Sequence, residues 1–270
     1  MSSISTGEAG GSAPARIQHR IERLLSRSGL IAVGALLLAA ALAWRWLTAS
    51  AMAPMDHQAM AISVQPWSAD YLVSAFVMWA VMMVAMMLPS AAPMILLQAR
   101  IGRAPTETRR LADTLLFALA YVLVWTAFSA AAALAQALLI HLDMVSAASL
   151  SLGDRGVAAG VLIAVALYQL SPAKAACLDQ CRSPIHFVMQ YWSPGIAGTL
   201  RLGLVHGAYC VGCCWGLMLL LFVAGVMNLA WVALIAATVL LEKTVPPRWQ
   251  FSKLIAALLL AGAIALLSVR

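Results

Sequence analysis

The sequence predicts an all-α fold: a polytopic transmembrane helical bundle of about seven spans with a cytoplasmic N-terminus. Three observations carry this. Of the 270 residues, 63% are hydrophobic and 10% charged, against about 45–50% and about 25% in a soluble domain. The mean hydropathy is +0.92. The apolar residues fall in runs, most of them near the roughly 20 residues that a bilayer-spanning helix needs. The basic residues between those runs sit in alternate loops. The net charge of +7 is therefore a topology signal. No basic patch interleaved with aromatics is present, so no nucleic-acid partner is expected and the lipid bilayer is.

Residues 1–29 are small and polar, then basic at Arg16, Arg20, Arg23 and Arg27, a composition expected to stay disordered in the cytoplasm. Residues 30–270 are expected to form a single transmembrane domain. The first run, Leu30 to about Leu47, also fits the apolar core of a secretory signal ending at Ala49-Ser50-Ala51, which would leave six spans. Trp44, Arg45 and Trp46 resemble an interfacial anchor and favour a retained helix. Further spans are expected at about Tyr71–Leu97, Leu111–Ile140, Gly156–Leu170 and Ile196–Val226. A short one at Leu229–Leu241 and a last at Phe251–Val269 complete the series. Arg100, Arg103, Arg109 and Arg110, then Lys174 and Arg182, then Lys243, Arg248 and Lys253 share one side with the N-terminus. The intervening loops carry Asp56, Asp70, Asp143 and Asp154 with only Arg155. The positive-inside rule places the basic side in the cytoplasm, with the C-terminus outside.

The chemistry concentrates in residues 203–218, GLVHGAYCVGCCWGLM. At about 100° per residue, His206, Cys210, Cys213 and Cys214 share one stripe of the helix, with glycines letting neighbouring backbones approach. A lone buried cysteine is ordinary packing; three with an imidazole on one stripe point to a soft metal ion. Cys177 and Cys181 form a C-x-x-x-C pair in the loop YQLSPAKAACLDQCRSP. On a helical turn they share a face and suit linear Cu(I) or part of a zinc site. The second span holds Met78, Met82, Met83, Met86 and Met87, then Met94 beyond Pro89. These are core filler or a thioether ladder selective for Cu(I). Pro89 and Pro93 are expected to kink or break that helix. Outside, Met52, Met55, His57 and Met60 in MAPMDHQAM offer ligands that survive oxidation. Glu242 follows an apolar run and is read as a hard ligand or proton acceptor, or as an interfacial group paired with Lys243 or Arg182.

Five cysteines are an odd number, and none lies in a loop assigned to the outside, so reduced thiols are expected rather than disulfides. H-E-x-x-H, G-x-S-x-G, Walker A and C-x-x-C-H motifs are absent, and no enzymatic reaction is assigned. Copper is preferred to zinc on ligand softness.

MWAVMMVAMMLPSAAPM, YQLSPAKAACLDQCRSP and HGAYCVGCCWGLMLLLFVAGVMNLAWVALIA followed by Glu242-Lys243 together resemble a bacterial family of predicted metal-binding integral membrane proteins of unknown function. Some of its members are labelled copper chaperone. The resemblance covers about residues 67–247. It implies a metal-binding protein of the bacterial inner membrane, and directs attention to Met82, Met83, Met86, Met87, Lys174, Cys177, Cys181, Cys210, Cys213, Cys214, Asn228 and Glu242. The expected partners are a periplasmic or cytoplasmic copper carrier or a membrane metalloenzyme. The oligomeric state stays open. A membrane thiol–disulfide oxidoreductase and a structural subunit without metal stay open as alternatives.

Overall fold

The computed structural model describes residues 27–52, 65–101, 106–146 and 150–268. They are helical throughout, apart from turns and one isolated bridge between Val145 and Leu152. In chain order the helices are α1 (Arg27–Met52), α2 (Ala69–Ile101), α3 (Glu107–His141), α4 (Arg155–Gln169), α5 (Pro172–Arg182) and α6 (Pro184–Tyr191). They continue as α7 (Gly195–Leu219), α8 (Leu221–Ala224), α9 (Leu229–Thr244) and α10 (Phe251–Ser268).

Several starts are set by a side chain that takes up an N–H the first turn cannot satisfy itself. Thr106 accepts from the Arg109 amide, Asp154 from Val157, Ser171 from Lys174 and Asn228 from Trp231. Asn228, which the motif resemblance had singled out, is thus the cap of α9. The break after α7 is satisfied in a similar way, since the Trp231 indole donates to the Leu220 carbonyl at 2.9 Å. The turn that follows needs Gly225, whose φ of 94° is open to glycine and costly to other residues.

Among the described residues five segments are long and apolar enough to cross a membrane: Gly34–Met52, Ala69–Ala99, Glu107–His141, Gly195–Ala224 and Pro247–Ser268. The sequence predicted about seven spans, and two of these emerge differently. α4 has 15 residues and continues into α5 across a bend of 63°. The pair together is long enough for a sixth crossing. α9 has 16 residues, about 24 Å at 1.5 Å per residue, short of the roughly 30 Å hydrocarbon core. Two local expectations are corrected. The break expected at Pro89 and Pro93 does not occur, and α2 runs as one helix through both. The segment carrying Cys177 and Cys181 is helix rather than loop, begun by the Ser171 cap and by Pro172 in the first turn.

The packing order places α1 on α2, α2 on α3, α3 on α7 and α10 on α4. The core follows the sulfur-rich face of α2, where Met82, Met83, Met86, Met87 and Met94 are all buried, while Met78 is half-buried. α3 and α7 come very close at Gly203. A Cβ there would lie 2.6 Å from the Phe117 carbonyl oxygen and 2.7 Å from the Ala120 Cβ. Close backbone approach at small residues is how helices associate where lipid removes the hydrophobic drive. Gly203→Ala is expected to cost about 1–3 kcal/mol through forced backbone shifts. Gly160→Ala, where a Cβ meets nothing within 4 Å, should be neutral. Thermal unfolding of both variants in detergent checks this.

Candidate metal centre

α7 turns Cys210, Cys213 and Cys214 inward, and all three are buried at 0–2% exposure. Their sulfurs lie within 4.8 Å of one another. Two further sulfurs join from other helices. Cys181 of α5 places its Sγ 3.9 Å from Cys213 Sγ, and Met87 of α2 places its Sδ 3.9 Å from Cys214 Sγ. Sulfurs bound at about 2.3 Å to one tetrahedral ion lie about 3.8 Å apart, so the spacing suits ligation after small rotations. All five cysteines are free thiols.

The thiols are held by a polar frame. The Cys213 and Cys214 thiols donate to the Cys210 carbonyl at 3.1 and 2.8 Å. Cys210 Sγ has a different setting. The Tyr121 hydroxyl lies 3.0 Å from it and also donates to the Met87 carbonyl at 3.2 Å. The Lys243 ammonium donates to the same sulfur at 3.0 Å and to Ser90 Oγ at 2.8 Å. An ammonium beside sulfur ligands offsets the negative charge that builds as thiols release protons to a metal.

Not every residue named from sequence joins this cluster. His206 shares the stripe but sits one turn away against the rings of Phe117, Tyr121 and Phe187, at centroid distances of 5.9, 5.7 and 5.2 Å. It is buried with no hydrogen-bond partner on Nδ1. Cys177 lies against the backbone of α7 at Gly212, where a Cβ would come within 2.8 Å of its sulfur. Met82, Met83 and Met86 belong to the buried core, and Met78 packs against that core. Met52 is exposed at the end of α1. Met55, His57 and Met60 lie outside the described residues.

Glu242 pairs with neither residue predicted for it. Both of its carboxylate oxygens accept from Lys174 Nζ at 2.7 Å, within a pair that is almost fully buried. Gln169 also accepts from Lys174, Ser252 donates to Glu242 at 2.8 Å, and Arg182 Nε donates to the Glu242 carbonyl at 2.7 Å. The carboxylate is thus occupied as a structural anchor. Lys243, Tyr121 and Ser90 were not identified as site residues from sequence. Only the Glu242-Lys243 dipeptide hinted at Lys243, and nothing in the spacing of a lone tyrosine or serine points at a sulfur.

These features define a class: a bundle of long apolar helices enclosing a compact group of thiols able to hold a metal ion. A family model described as copper chaperone, PpoB2, matches residues 76–266, and the chain belongs to that family. Searches of curated proteins and of solved structures found no match.

The Lys174–Glu242 pair carries a stability prediction. Breaking a buried pair strands a charge and costs about 3–5 kcal/mol, whereas replacing both partners by apolar residues is milder. Lys174→Met and Glu242→Leu are each expected to lower the unfolding midpoint strongly, with the double variant recovering part of the loss. Denaturant titration in micelles measures the three.

Proposed function

We propose that the protein binds Cu(I) at Cys210, Cys213 and Cys214 within the bacterial inner membrane and hands it on to a copper carrier or a membrane metalloenzyme. The observation that carries this reading is the meeting of sulfurs from α2, α5 and α7 at one buried point. Thiolate and thioether ligands select Cu(I) over harder ions, and the family label points the same way. The ion is cargo in this reading. It arrives as Cu(I), displaces protons from the thiols it joins, and leaves by exchange of one sulfur for another without a change of oxidation state. Zinc is the competing ion, since four thiols from α5 and α7 would also suit a tetrahedral site.

The half-buried Cys177 and Cys181 provide the sulfurs nearest an exit on the face that the positive-inside rule makes cytoplasmic. The Met and His residues between 52 and 60 would be first ligands on the opposite face. Cys181 and Cys213 are also close enough for thiol–disulfide chemistry after a modest approach. That second reading requires a disulfide cycling between the two.

Anaerobic Cu(I) loading of the purified protein, followed by elemental analysis, tests the first reading. Wild type is expected to retain copper against a weak chelator, and the variant with Cys210, Cys213 and Cys214 all changed to Ser to lose most of it. Equal copper in both would remove the site. Lys243→Met should keep the fold and weaken retention by about 10–100-fold, the usual effect of removing a supporting group around a metal. Chelator competition reads the difference.

A further inference from the structure

Away from the thiols, where α4 bends into α5, the bundle holds a cavity of about 220 Å³. Its wall joins two helix beginnings, Ser171 to Ala175 of α5 and Gln250 to Lys253 at α10. Helix N-termini present unbonded N–H groups and the positive end of the macrodipole; in α5 Ser171 and Pro172 already occupy most of those positions, so α10 supplies this end. Lys174, Arg182 and Lys253 line the cavity with Asp179, and because Lys174 is paired with the buried Glu242, Arg182 and Lys253 supply its cationic charge. Gln169 also lines it; this residue is 5% exposed, and its amide Nε2 has no hydrogen-bond partner. The start of α10, the two cations and the spare Gln169 donor favour an anion with several acceptor oxygens.

The surroundings say where that anion comes from. Leu170 lies on the cavity wall, and Trp249 and Leu254 flank the start of α10. All three are exposed. Further along α10, Leu258 and other apolar side chains remain exposed. A tryptophan and leucines beside a basic pocket at the end of two apolar helices match the headgroup level of a bilayer. Basic pockets between membrane helices bind phosphate headgroups.

We propose that this cavity is a binding site for the phosphate of an anionic phospholipid, whose acyl chains lie along the exposed apolar side of α10. The lipid would bridge the α4–α5 bend to α10. None of the cavity's lining residues supplies a sulfur, so the lipid site and the thiol group are separate places in the fold.

The test uses the full chain purified in detergent, with bound lipid counted by native mass spectrometry. Phosphatidylglycerol and phosphatidylcholine are titrated separately. Wild type is expected to retain phosphatidylglycerol preferentially. Lys253→Gln should weaken that retention by about five-fold, the usual effect of one basic residue at a membrane surface. Ala175→Trp, which fills the cavity from an exposed position, should abolish the preference with no change of charge. Arg109→Gln, on α3 and outside the cavity, should leave it intact. Equal retention of the two lipids by wild type, or a preference that survives Ala175→Trp, would overturn the proposal. So would displacement of phosphatidylglycerol by excess inorganic phosphate, which would make this a site for a soluble anion. Unchanged melting of lipid-free Lys253→Gln and Ala175→Trp separates loss of the site from loss of the fold.

Discussion

The Lys174–Glu242 ion pair is the interaction on which the arrangement of the thiols depends. It ties α5 to α9 in a setting where an unpaired charge would be very costly. Cys181 lies two turns along α5 from Lys174, and Lys243 directly follows Glu242. Holding the pair therefore holds Cys181 against Cys213 and Lys243 against Cys210. The Arg182 bond to the Glu242 carbonyl closes the same joint from the other end of α5. A single buried charge pair thus positions two groups that face the sulfurs of α7 from different sides.

The second constraint is steric. The thiols of α7 meet Tyr121 of α3 and Met87 of α2 because α3 and α7 approach over glycine. Tyr121 spans the gap, touching a sulfur on one helix and a backbone carbonyl on another. Without the close approach at Gly203, the hydroxyl would no longer reach both. The polar frame therefore follows from backbone packing, which brings Tyr121 within reach of both partners.

Much of this was legible in the sequence, and what was not had a common cause. Composition and run length identified the helices. The i, i+3, i+4 pattern placed Cys210, Cys213 and Cys214 on one face, because periodicity is a local property of a helix. The same pattern placed His206 on that face too. It could not show that one turn up the helix the neighbours are Phe117, Tyr121 and Phe187 rather than sulfur. Glu242 was assigned to its sequence neighbour Lys243 or to Arg182, whereas the partner is 68 positions away. The sequence located the helix ending before Ser171-Pro172, but whether 15 residues cross alone depends on the 63° bend into the next helix, which no run of hydropathy contains. Each miss is a tertiary fact that no window on the chain contains.

The exposure of the sulfurs also orders the site. Cys210, Cys213, Cys214 and Met87 are sealed, while Cys177 and Cys181 of α5 and Met78 of α2 are only half-buried. If the sealed group takes Cu(I) as proposed, the sulfurs of α5 and the thioether face of α2 are the ligands that lead to it. α5 is joined to α4 by a bend rather than by a continuous helix. Its two cysteines ride on an element held to α9 at both ends, by Lys174 and by Arg182. On the proposed reading, with inner ligands on α7 and outer ligands on a separately anchored helix, one sulfur at a time would leave the ion.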